Sequence, residues 1–155
     1  MTNLRRGNFH PSEVDEVMKV IFLDINGVMD EGSTSSLRKA LHPKHMAVLN
    51  EVVRASGADV VLASAYRMVH SVSDIRGIFK AAGFEGKVVG KTPMGMGRDA
   101  EIQTYLNEHP NIEAFVILDD ASDLGVLTSK LVCTYPNGLE SHHVSAALGH
   151  LKESL

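Results

Sequence analysis

The chain has no tryptophan, a single cysteine and only 5 prolines among 155 residues. Each scarcity excludes something. A lone Cys133 cannot close an internal disulfide, so stability has to come from a core and not from covalent staples. With 13 Gly, 22% charged and 44% hydrophobic residues, the composition is that of a globular protein and not of a disordered, collagenous or coiled-coil one. Positive charge is also short: 15 Lys and Arg stand against 19 Asp and Glu, a net charge of −4. That balance gives no general attraction for nucleic acid or anionic membrane, although a local basic patch is compatible with it. No stretch approaches the roughly 20 apolar residues that span a bilayer. Arg5 and Arg6 are not followed by the apolar run of a signal peptide. The single cysteine and seven methionines fit a reducing, cytoplasmic setting, with no membrane partner.

The length suits one domain. Residues 1–17 are polar and aperiodic and read as a tail or peripheral segment, with a single domain over 18–155. Five short apolar runs then recur: Val20 to Leu23, Asp59 to Ala63, Lys87 to Val89, Ala114 to Leu118 and Leu131 to Cys133. Continuous apolar runs of this length are strands covered on both faces. Between them lie helical spacings, Met46/Leu49/Val52/Val53, Ile75/Ile78/Phe79 and Ile102/Tyr105/Leu106, with Gly57, Gly83 and Pro110 as stops. A last helix is expected over about 141–152, with Ser141 as its N-cap. Strands alternating with helices predict an α/β, Rossmann-like three-layer domain with a parallel sheet of about five strands. In such sheets ligands bind beyond the carboxyl ends of the strands, so the residues after each apolar run are the candidates for chemistry.

Those residues are rich in charge. The first run ends in Asp24-Ile25-Asn26-Gly27, and the fourth ends in Asp119-Asp120, with Asp123 close behind. Carboxylates gathered at buried strand tips repel one another unless a hard cation neutralises them, and Mg2+ suits an all-oxygen set. The second run ends in Ser64, whose hydroxyl, with turn N–H groups, can hold a phosphate oxygen; Arg67 could hold another in a fork. Arg98 and Lys91 are alternative sources of positive charge for a transferring phosphoryl group. Taken alone, Asp24 reads equally well as the cap of a turn, while Ser64, Arg98 and Asp119-Asp120 each read more readily as a turn residue, a solvated charge or a loop entry. Four in this order at four strand ends are harder to dismiss.

The order Asp, Ser, cation, paired Asp resembles the haloacid dehalogenase superfamily. The segments VIFLDINGVM, VVLASAYR, GRDAEIQTYLNEHP, FVILDD and NGLESHHVSAAL are similar to its small capless branch, which is associated with nucleic-acid repair and polynucleotide 3′-phosphatases. The resemblance implies a Mg2+-dependent phosphatase in which Asp24 is the nucleophile and becomes an aspartyl phosphate. It implies metal ligation by Asp24, the main-chain oxygen of Asn26, and Asp119 or Asp120. Phosphoryl oxygens would be bound by Ser64 and Arg98, with Lys91 as the alternative third-motif cation and Arg67 for substrate; Asp123 would act behind the ligands. The family carries Asp where this chain has Asn26, as the acid that protonates the leaving oxygen. An amide cannot do so, which predicts activity lower by ~10²–10⁴-fold.

The segment from Asp30 to Leu41 is polar and too short for a folded lid. An open site of this kind suits a phosphomonoester on a large substrate such as a nucleic-acid end. Arg38, Lys39, Lys44 and Arg67 are a sparse candidate patch for it. The adjacent His142 and His143, and His42 with His45, lack the pattern of a zinc site. The competing reading is a catalytically inactive, phosphate-binding or interaction module on the same fold.

Overall fold

A computed structural model describes residues 16–32, 34 and 36–152. Almost all of the expected tail, residues 1–17, lies outside the described residues. The first strand, β1 (Met18–Leu23), leads to a four-residue helix α1 (Leu37–Ala40) and then to α2 (Pro43–Ser56) and β2 (Asp59–Leu62). The chain continues through α3 (Val72–Ala81), β3 (Val88–Lys91), α4 (Arg98–Glu108), β4 (Ile112–Asp119), β5 (Leu131–Cys133) and α5 (Val144–Lys152). Short 3₁₀ helices lie at Ala65–Met68, Gly125–Lys130 and Ser141–His143. The five strands form one sheet in the order β3-β2-β1-β4-β5, every pair parallel. This is the α/β Rossmann-like sheet that the apolar runs predict.

The central strand explains the layering. Ile21 and Leu23 point into a core built with Leu49, Ile75, Phe79 and Leu151, from α2, α3 and α5. Val20 and Phe22 point the other way, against Ile102 and Tyr105 of α4 and against Phe115 and Leu127. With all four residues fully buried, β1 has no polar face, which is why its sequence does not alternate. Phe22 meets Tyr105 and Phe115 edge-on, each ring pair 5.7 Å apart.

Local signals mostly hold. His42 caps α2 by accepting from Lys44 N at 3.2 Å, Pro43 opens the helix, and Gly57 closes it in the left-handed region at φ 72°. The last helix differs from expectation: its first turn is 3₁₀, and Glu140, not Ser141, is the cap, in a reciprocal box with His143. The ring of His143 accepts from Glu140 N at 2.9 Å, and so takes the place of the acid usually found there. Strand β3 runs on to Lys91. The 30–41 segment contains α1 and buries Leu37, Ala40 and Leu41, so it is a fitted connection and not a loose polar loop. No described helix is long and apolar enough to cross a membrane.

Candidate active site

Sheet order decides which residues meet. Strands β1 and β4 are neighbours with Leu23 opposite Leu118, and Asp24 N donates to Leu118 O at 3.0 Å. The chain leaves this pair toward β2 on one side and β5 on the other, so the carboxyl ends of β1 and β4 form the crevice where parallel sheets bind ligands. Asp24, Asp119 and Asp120 end there with carboxylate oxygens within 4.8 Å of one another. Arg98, the first residue of α4, joins them: Nη1 bonds Asp119 Oδ2 and lies 3.6 Å from Asp24 Oδ2. Asp119 is 2% exposed, and its other oxygen accepts from Ala121 N at 2.9 Å.

Three carboxylates against one guanidinium leave an excess of negative charge, and the protonation equilibria register it. Burial, followed by Asp119 and Asp120, outweighs the pull of Arg98 and raises the Asp24 pKa from 3.8 to about 6. Asp120 is raised too, by burial and by Asp119. Arg98 moves upward: burial opposes its charge, but Asp24 and Asp119 prevail. Such a donor set fits a hard divalent cation: all oxygen, closely spaced and under-neutralised.

Gly27 makes the close approach feasible. Its φ is 84°, and a Cβ there would lie 2.2 Å from Asp120 Oδ2, so any side chain would collide with the acid cluster. Its carbonyl accepts from Thr134 Oγ1 at 2.6 Å, which ties the turn to the segment after β5. Asn26 faces away from the cluster into its own loop. Nδ2 donates to Asp30 Oδ2 at 2.9 Å and to Thr34 O at 3.2 Å. Both partners are acceptors only, which fixes the amide orientation. Asp30 is 6% exposed and also accepts from Gly27 N, Gly32 N and Thr34 N at 2.8, 3.1 and 3.3 Å. Burial opposes its charge, yet hydrogen bonds from Thr34, Gly27, Asn26 and Gly32 hold the Asp30 carboxyl below the ordinary range.

Ser64 sits at the end of β2, 2% exposed, with Oγ accepting from Tyr66 N at 3.0 Å. Its own proton stays available for a phosphate oxygen. Arg67 corrects the expectation of a substrate fork. It is 5% exposed and points inward. Its five N–H groups go to the carbonyls of Thr92, Ala63, Ser64 and Pro93 and to Glu101 Oε1, the last at 2.6 Å. No donor is left for a substrate or a polynucleotide. Lys91 is likewise engaged, its Nζ donating to Arg67 O and His70 O at 3.1 and 3.0 Å, so among the expected cations Arg98 is the one brought to the acids. Asp123 is exposed and caps the turn at 125–130 through Gly125 N and Thr128 Oγ1; it does not stand behind the cluster.

Glu101 and Asp30 escaped the sequence reading. Glu101 lies one turn beyond Arg98, and its Oε2 accepts from Met96 N at 3.1 Å, so it fixes the loop that delivers Arg98. Its spacing on α4 was the available signal. A cavity of about 420 Å³ opens beside the acids, lined by Asn26, Gly27, Glu31, Gly32, Asp120, Tyr135 and Pro136. Another of about 480 Å³ lies at the opposite end of the sheet, by Lys19, Asp59 and Asn111, away from any of this chemistry. Six exposed large apolar side chains, Met68, Val69, Met94, Met96, Val126 and Tyr135, sit on connections that follow β2, β3, β4 and β5, around the same end as the acids.

The family described as the HAD domain in Swiss Army Knife RNA repair proteins matches residues 20–144. No curated protein and no solved structure matches this chain.

Proposed function

This chain belongs to the HAD domain family of Swiss Army Knife RNA repair proteins, and from that premise we propose that it removes a phosphoryl group from an RNA end through an aspartyl phosphate on Asp24. The phosphatase-type chemistry and the repair context come with the family. The assignment to Asp24 is supported by one observation above all: Asp24, Asp119 and Asp120 converge within 4.8 Å with Arg98 between two of them. Asp24, Asp119 or Asp120 and the main-chain oxygen of Asn26 would hold Mg2+, which when bound would neutralise the carboxylates and the phosphoryl oxygens.

In this reading the Asp24 carboxylate attacks phosphorus, and Ser64 and Arg98 hold the equatorial oxygens as charge builds on them. Arg67 and Glu101 do not touch the substrate; they position Ser64 and Arg98 relative to one another. The open, apolar-rimmed end of the sheet suits a large substrate, and Tyr135 offers it an exposed aromatic face. The test is phosphate release from a phosphorylated RNA oligonucleotide and from an aryl phosphate, with Mg2+ and with chelator. Metal-dependent release that vanishes in Asp24→Asn supports the proposal; equal release by the Asp24→Asn protein refutes it.

A second reading is favoured by Asn26, whose amide is committed to Asp30 and Thr34: a module that binds a phosphorylated partner without turning it over. Binding of fluoroberyllate with no release from any phosphate compound is the result that selects it.

A further inference from the structure

A candidate nucleophile, phosphate-binding hydroxyl and cation meet at this site, while among the described residues no carboxylic acid is placed to protonate the departing group. We infer that the site takes phosphoanhydrides as its substrates, such as a 5′-polyphosphate end, and not the alkyl phosphomonoester of a 3′-phosphate end. This rests on the aspartyl-phosphate reading above and departs from the phosphomonoester that the sequence resemblance suggests.

The geometry accounts for each candidate acid in turn. Asp24 is the attacking group, and Asp119 and Asp120 complete the candidate metal set. Asn26 commits both amide protons, to Asp30 Oδ2 and Thr34 O, and an amide is no acid at neutral pH. Both oxygens of Asp30 are taken up by four N–H donors of its own loop, from Asn26, Gly27, Gly32 and Thr34. The Tyr66 hydroxyl donates to Thr34 O, and Lys91 Nζ is held by two carbonyls. Glu31, the remaining carboxylate on the adjoining cavity, is half-exposed and held by Lys44 Nζ at 3.3 Å. Tyr135, which also lines that cavity, is 73% exposed and carries its hydroxyl out in solvent; among the other described residues, no placed group offers a proton to the oxygen that leaves.

Leaving-group chemistry then selects the substrate. An oxygen of Asp24 bonds to phosphorus as the bond to the leaving oxygen breaks, and the electron pair departs with the leaving group. A phosphate or diphosphate carries that pair stably as an anion; a sugar alkoxide has to be protonated as it goes. The second step needs no acid either, because aspartyl phosphate is itself a mixed anhydride. Water bonds to phosphorus, the Asp24 carboxylate leaves with its electron pair, and the water proton passes to orthophosphate or solvent.

The test uses the full chain with Mg2+ and four donors: acetyl phosphate, aryl phosphates of graded acidity, an RNA bearing a 5′-triphosphate, and the same RNA bearing a 3′-phosphate. The expected result is a steep dependence on leaving-group acidity, with the 3′-phosphate slower than the anhydrides by ~10²–10⁴-fold. Because Asn26→Asp alone sets two carboxylates side by side, the exchange Asn26→Asp/Asp30→Asn is made with it, and the exchanged protein should narrow that gap. A 3′-phosphate processed as fast as the anhydrides overturns the inference and leaves the phosphatase reading standing. A 3′-phosphate activity that Glu31→Gln abolishes also overturns it, by identifying Glu31 as the acid. No transfer from any donor, together with no binding of fluoroberyllate, overturns both.

Discussion

Two arginines of this protein sit among carboxylates, and they are opposites. Arg67 meets one acid, Glu101, and spends its remaining donors on four carbonyls. Charge and hydrogen bonds balance there, and the pair is sealed, with side chains 4% and 6% exposed. Arg98 meets two acids with a third close by, in a crevice that leaves its side chain 28% exposed. A balanced buried pair holds a fold in register. An unbalanced, accessible one is poised for a further cation and for a ligand with charge to place.

The largest expected effect on stability falls at the balanced pair. Arg67→Met leaves the Glu101 carboxylate buried and four carbonyls without their donor, and should cost ~3–5 kcal/mol in a urea titration. Arg98→Met, which removes a cation from a half-open crevice, should cost clearly less while it weakens phosphate binding. Equal losses from the two would erase the distinction between them.

Proton linkage offers the next handle. With no metal bound, Asp24 has a folded-state pKa of about 6 against an unfolded 3.8, so between those values the folded protein binds the extra proton. The stability this group contributes is present near pH 4 and lost as pH rises through 6, by about 3 kcal/mol. Comparing unfolding free energies at pH 4.5 and 7 in wild type and Asp24→Asn isolates it: about 2 kcal/mol of that total falls between these two pH values, and the variant should lack this component. Mg2+ should reverse the sense at neutral pH. At a hundred times its Kd it should stabilise the protein by ~2.7 kcal/mol in a thermal scan, and Asp119→Asn should lose most of that gain. An undiminished gain would place the ion elsewhere.

Positions along the chain were easier to read than directions in space. The apolar runs gave the strands, and the alternation of periods gave a parallel sheet, because a strand buried on both faces leaves an unbroken hydrophobic signature. Strand tips then located Asp24, Ser64 and Asp119-Asp120 at one end of the sheet. Arg67 shows where this fails. Three residues past Ser64, it sits on a 3₁₀ turn that swings its side chain back under the strands, and nothing in its spacing separates that from a turn toward solvent. Asp30 was hidden for a related reason: four of its bonding partners belong to its own loop, and a polar stretch looks the same whether its acid is solvated or buried as the hub. Glu140 displaced Ser141 as a cap because His143 could answer it, a reciprocity that residue preferences taken singly do not contain.

Transfer of phosphorus to Asp24 is the step on which the proposed chemistry depends, and it leaves a species that can be trapped. Incubated with acetyl phosphate and Mg2+, quenched in acid and digested, the protein should yield one phosphorylated peptide, modified at Asp24 and cleared by hydroxylamine, with none from Asp24→Asn. A protein that binds Mg2+ at Asp119 yet forms no such adduct, and releases no phosphate from any donor, would contradict it.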